Sequence, residues 1–128
     1  MRLLTRDEND RLILETVDSD SPPAYAILSH TWHEDNRQEV SFQDMARGGA
    51  AGKLGYVKIQ FCARQAAADG LRYFWVDTCC IDKSSNSELT EAINSMFRWY
   101  RQAARCYVYL SDVSRGLRSV WEPVKGSP

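Results

Sequence analysis

Tyr73-Phe74-Trp75-Val76-Asp77-Thr78-Cys79-Cys80-Ile81-Asp82-Lys83 is the stretch on which the fold turns. Its first four residues are continuously apolar, the pattern of a strand covered on both faces. Upstream, from Tyr56 to Asp69, the residues Ile59, Cys62, Ala63, Ala66 and Ala67 recur at helical spacing, and Gly70 sits where a helix C-cap belongs. Downstream, Ser85-Asn86-Ser87-Glu88 has the spacing of a capping box. Leu89, Ile93, Met96, Phe97, Tyr100 and Ala104 then form one apolar stripe. Further apolar runs, Tyr25-Ala26-Ile27-Leu28-Ser29 and Cys106-Tyr107-Val108-Tyr109-Leu110, suit two more buried strands. The order strand, helix, strand, helix, strand calls for right-handed crossovers and a mostly parallel sheet. The fold class is α/β.

Outward from this core the signals weaken. Arg2-Leu3-Leu4 and Leu12-Ile13-Leu14-Glu15-Thr16-Val17 are short apolar pieces without an assigned partner. Asp18-Ser19-Asp20-Ser21-Pro22-Pro23 is turn chemistry. Glu39-Val40-Ser41-Phe42 suits either a short edge strand or a helix lead-in, and Gly48, Gly49 and Gly52 mark a flexible loop. Residues 114–128 lack periodicity and read as an irregular tail behind a domain spanning 1–113.

Composition narrows the class. The chain has 128 residues, 44% hydrophobic and 26% charged, with a net charge of −1. That length suits one core. Balanced charge argues against a general nucleic-acid or anionic-membrane surface. No apolar run approaches the roughly 18 residues needed to span a bilayer. The opening Met1-Arg2-Leu3-Leu4-Thr5-Arg6-Asp7-Glu8 turns acidic too soon for a signal peptide, so the four cysteines read as reduced thiols of a cytoplasmic protein.

In an open parallel sheet, ligands bind beyond the carboxyl ends of the strands. Polar residues gather there: Ser29, His30, Thr31 and Trp32 after the first strand, Asp77, Thr78, Cys80 and Asp82 after the second, and Ser111 and Asp112 after the third. They define a candidate ligand-binding rim. Adjacent cysteines at a strand end point to opposite faces and chelate one zinc ion poorly, so no metal is expected. Cys79 or Cys80 with His30 forms a candidate thiol nucleophile pair, against the commoner role of buried cysteine as a small hydrophobe. Asp77 and Asp82 suit ribose hydroxyls, a metal, or helix capping. Glu88 is a candidate acid whose spacing from Ser85 is also explained by a cap. No phosphate-cradling glycine motif follows a strand.

The residues themselves resemble a known family. Tyr25-Ala26-Ile27-Leu28-Ser29-His30-Thr31-Trp32 looks like the opening motif of the fungal heterokaryon incompatibility (HET) domain. Phe74 through Lys83 resembles its second motif, and Glu88 through Tyr100 with Ala104 and Cys106 through Val113 its third. The resemblance implies a flavodoxin-like, three-layer sheet with helices on both faces, similar to Toll/interleukin-1-receptor domains. It implies a cytoplasmic module of non-self recognition and programmed cell death, acting through self-association or protein partners and not through nucleic acid or membrane. Some relatives of that fold cleave NAD, so an NAD glycohydrolase is the alternative, with NAD as substrate and no bound cofactor. A Cys–His hydrolase stands behind it. Two departures bear on these expectations. His33 stands where the first motif continues with Gly, and the R-G-W-T-L-Q-E-L segment, whose glutamate is most comparable with the catalytic one, does not follow Trp121-Glu122. The resemblance thus implies a domain incomplete at its C-terminal side, with the Cys106–Leu110 strand left as an open edge.

Overall fold

The structure, a computed structural model, describes residues 1–30, 38–48, 50–109 and 117–121. Strands β1 (Arg2–Arg6), β2 (Leu12–Thr16) and β3 (Tyr25–His30) come first. They are followed by α1 (Phe42–Arg47), α2 (Tyr56–Ala68), β4 (Tyr73–Trp75), α3 (Asp77–Cys80), α4 (Asn86–Gln102), β5 (Arg105–Tyr109) and β6 (Leu117–Trp121). One six-stranded sheet has the order β2-β1-β4-β3-β5-β6.

The α/β class holds, and the three strands read from apolar runs form the centre. β3 lies between β4 and β5 and is parallel to both. The sheet as a whole is mixed rather than mostly parallel, because β1–β2, β1–β4 and β5–β6 pair antiparallel. The reason is local. The two short apolar pieces of the first 24 residues close into a hairpin, whose turn is held by Asp7 Oδ1 accepting from the N–H groups of Asn9 and Arg11, both at 2.9 Å. Asp10 supplies the left-handed residue of that turn, with φ 64°. An antiparallel partner needs only such a turn, whereas a parallel one needs a crossover. At the other side, Leu117–Trp121 pairs with β5 inside the stretch read as irregular, so the expected open edge of β5 is covered there.

The helices form where their signals lie. Ser41 caps α1 in a capping box with Asp44, which settles Glu39–Phe42 as a helix lead-in. Gly48 ends α1 at φ 81°. α2 buries Ile59, Cys62, Ala63 and Ala66 of the row its spacing marks, while Ala67, the last of that row, is exposed near the helix end. Its start is clamped: Gly55 donates to the Gln38 carbonyl at 2.7 Å, and a Cβ there would meet that oxygen at 2.5 Å. Beside it, Lys58 and Glu39 form a buried ion pair at 2.8 Å.

α4 departs from expectation. Its buried residues are Ala92 and Trp99, with Leu89, Met96 and Tyr100 partly covered. Ile93 and Phe97, placed by the stripe against the core, are 65% and 75% exposed. The indole of Trp99 meets Trp75 edge-on at 5.7 Å, and so turns its own row of the helix inward. Tyr25 ties both elements together: its hydroxyl donates to the Trp99 carbonyl at 2.5 Å, and its carbonyl accepts from the Ala104 N–H at 2.8 Å.

Candidate functional site

Strand register sets the site. Ile27 lies beside Trp75 on β4 and beside Cys106 on β5, so the carboxyl ends of the three parallel strands share one end of the sheet. Ser29, His30, Asp77 and Thr78 stand at that end by register, as the sequence predicted. Thr31, Trp32, His33, Ser111 and Asp112 lie outside the described residues, as does the side chain of His30.

Tyr100, read as packing alone, joins this end. Burial and the nearby Asp77 carboxylate push its phenol up to about 12, opposed by a hydrogen bond with Ser29. A phenol on α4 and a serine hydroxyl on β3 therefore pair, with the carboxylate at the start of α3 near enough to act on the phenol. Only the fold brings Tyr100 to Ser29, 71 positions earlier in the chain.

Beyond β4 the chain does not continue as a strand. Asp77–Cys80 coil into one helical turn, in which the Val76 carbonyl accepts from the N–H groups of Cys79 at 3.3 Å and Cys80 at 2.9 Å. The cysteines are therefore about 100° apart around a helix rather than on opposite strand faces. Both are buried, at 0% and 2% exposure. Their sulfurs turn back on Val76, Cys80 accepting from its N–H at 3.4 Å and Cys79 donating to its carbonyl at 3.9 Å. Burial pushes the Cys79 thiol well above its ordinary range, reinforced by Cys80 and Asp77. A thiol so placed is protonated at neutral pH and is a poor nucleophile. Thr78 is buried as well. Asp77 is the first residue of this turn, and Val76 rather than Asp77 holds its cap position.

Asp82 closes a local turn instead of capping α4. Its carboxylate accepts from the Ser84 N–H at 3.1 Å and from Gln43 Nε2 at 3.0 Å. The Ser84 hydrogen bonds come first among the contacts that hold this carboxyl below the usual aspartate range. Ser85 caps α4, accepting from the Glu88 N–H at 3.4 Å.

Glu88 does not complete the box by reaching back to Ser85. Its Oε1 pairs with the Arg2 guanidinium and accepts from the Asp82 N–H at 3.1 Å. Arg2 in turn lies over the Phe42 ring, 4.6 Å from its centre. This carboxylate therefore joins β1 and the turn after α3 to α4, a role that no local spacing signals, since Arg2 is 86 positions away. A cavity of about 300 Å³ opens beside it, lined by Arg2, Thr16, Cys80, Ser85, Glu88 and Trp99, among others. Trp99 is 3% exposed, and its indole N–H has no partner among the described residues. The cavity lining mixes charged and hydroxyl side chains with the Trp99 indole. Among the described residues no three His, Cys, Asp or Glu side chains cluster to hold a metal ion. No helix among them is long and apolar enough to cross a membrane.

Comparison with known proteins places this arrangement. The family model described as Heterokaryon incompatibility protein (HET) matches residues 25–123. The chain is 60% identical over 119 residues to Vegetative incompatibility protein HET-E-1 of Podospora anserina, a match covering 92% of this chain and 9% of that protein. No solved structure matches. The family model's span contains every parallel strand and both crossover helices, and on that extent the chain belongs to the heterokaryon incompatibility (HET) family.

Proposed function

We propose that the chain is a fungal non-self recognition module that signals programmed cell death from the cytoplasm by self-association through the outer face of α4. The observation that carries this reading is the pair Ile93 and Phe97, one helical turn apart and 65% and 75% exposed. A helix that packs only against its own sheet places polar residues there. The Arg101 guanidinium stands 5.6 Å from the Phe97 ring centre and adds a polar rim to the apolar pair. The same reading takes the architecture as flavodoxin-like and three-layered, as in Toll/interleukin-1-receptor domains. It is supported by Trp75 meeting Trp99 of α4 while Tyr109 meets Phe61 and Tyr107 reaches Asp69 at the end of α2.

The test is the double variant Ile93→Ser with Phe97→Ser, expressed in fungal cells and studied in parallel as purified protein. Thermal melting is expected to stay put, while the associated species in sedimentation velocity and the cell-death response are both lost. Retention of the response would sink the reading. Loss of the response with association intact would assign the face to a different protein. Release of nicotinamide from NAD by the purified chain would favour the enzymatic alternative, for which the engaged Glu88 carboxylate offers no support.

A further inference from the structure

A second cavity, of about 350 Å³, opens between the last turns of α2 and strands β1 and β4. Ala63, Ala66 and Ala67 form one wall, Phe74 contributes the apolar side chain from the sheet, and Arg6 and Arg72 bring the charges found among the described lining residues. The sequence explains the space: three alanines stand where longer side chains would reach the sheet. Gly70, held at φ +79°, has open space where a Cβ would project. Protein interiors otherwise pack to crystalline density. The volume lies in the roughly 300–1,000 Å³ range of small-molecule sites, which are mainly apolar with a few placed polar groups.

The charges choose the ligand. Among the described residues no carboxylate lines this cavity. Arg72 lies 5.8 Å from the centre of the Tyr73 ring and has no carboxylate partner among the described residues. Among the described residues, Arg6 pairs with Asp10, at 3.1 Å to its carbonyl and 3.6 Å to its carboxylate. Guanidinium groups bind carboxylates in paired, charge-assisted hydrogen bonds. We propose that this cavity binds a small amphiphilic anion, a medium-chain fatty acid taken up as a free monomer. Its chain lies between Phe74 and the alanines, and its carboxylate meets Arg72 and Arg6.

The experiment titrates the purified full chain with hexanoate, octanoate and decanoate below their aggregation concentrations. Calorimetry and amide NMR shifts are the readouts. Saturable one-to-one binding is expected, tightening about fourfold per added methylene until the cavity is full. Arg72→Gln should weaken decanoate by about tenfold and leave decanol unchanged. Ala67→Leu, at an exposed helical position, should abolish binding of both while the melting temperature holds. Binding that never saturates, a preference for decylamine over decanoate, or indifference to Ala67→Leu would each overturn the proposal. So would sedimentation with decanoate-doped phosphatidylcholine vesicles in the absence of monomer binding.

Discussion

The two crossover helices follow the same rule of periodicity and obey it differently. α2 buries the row its spacing marks, Ile59, Cys62, Ala63 and Ala66. α4 carries two adjacent apolar rows and buries the one centred on Ala92 and Trp99, leaving Ile93 and Phe97 in solvent. The difference lies in how many solutions the pattern allows. On α2 the buried apolar side chains all belong to the one row that the spacing marks. On α4 a wide apolar arc leaves the rotation to the sheet, and the Trp75 indole selects Trp99. Hydrophobic periodicity thus locates an arc, and packing decides its centre.

The largest effect should separate the two rows of α4. Trp99→Ala is expected to cost about 3–5 kcal/mol, the usual range for emptying a buried aromatic site. Phe97→Ala should stay within about 0.5 kcal/mol, as for surface changes elsewhere. Chemical denaturation of the two variants measures both, and equal losses would restore the stripe read from spacing.

A second test belongs to α2, whose first turn buries a charge. Lys58→Met leaves Glu39 buried beside an apolar side chain and should cost about 3 kcal/mol, in line with breaking other buried pairs. Adding Glu39→Leu to Lys58→Met should recover much of that loss. If the double variant is no more stable than the single, the pair is not what makes the clamp at this end of α2.

The smallest effect concerns pH. A hydrogen bond from Tyr107 holds the Asp69 carboxyl, at the end of α2, below the usual aspartate range. Its folded pKa lies below its unfolded one, so its contribution is present above about pH 4 and fades as pH falls further. Asp69→Asn should flatten that part of the acid limb in urea melts followed from pH 5 to pH 2. Tyr100, pushed up to about 12, acts in the opposite direction. Its contribution is whole below about pH 10 and is lost above it, so Tyr100→Phe should flatten the alkaline limb.

The α/β class, the three central strands, both crossover helices with the Ser85 cap and the Gly70 turn, and the family were all legible in the residues alone. Each of these is written in contiguous residues: an apolar run, a helical repeat, a turn residue, a motif. Tertiary structure alone decided the rest. The antiparallel neighbour β6 and the docking of the β1–β2 hairpin on β4 depend on which edge a short apolar piece finds. The rotation of α4 waits on Trp75, Glu88 is claimed by Arg2 rather than by its own cap, and Tyr100 reaches Ser29 only after β3 and α4 dock. Burial and charge pairing are properties of neighbours in space, and partners more than seventy positions apart leave no trace in local spacing.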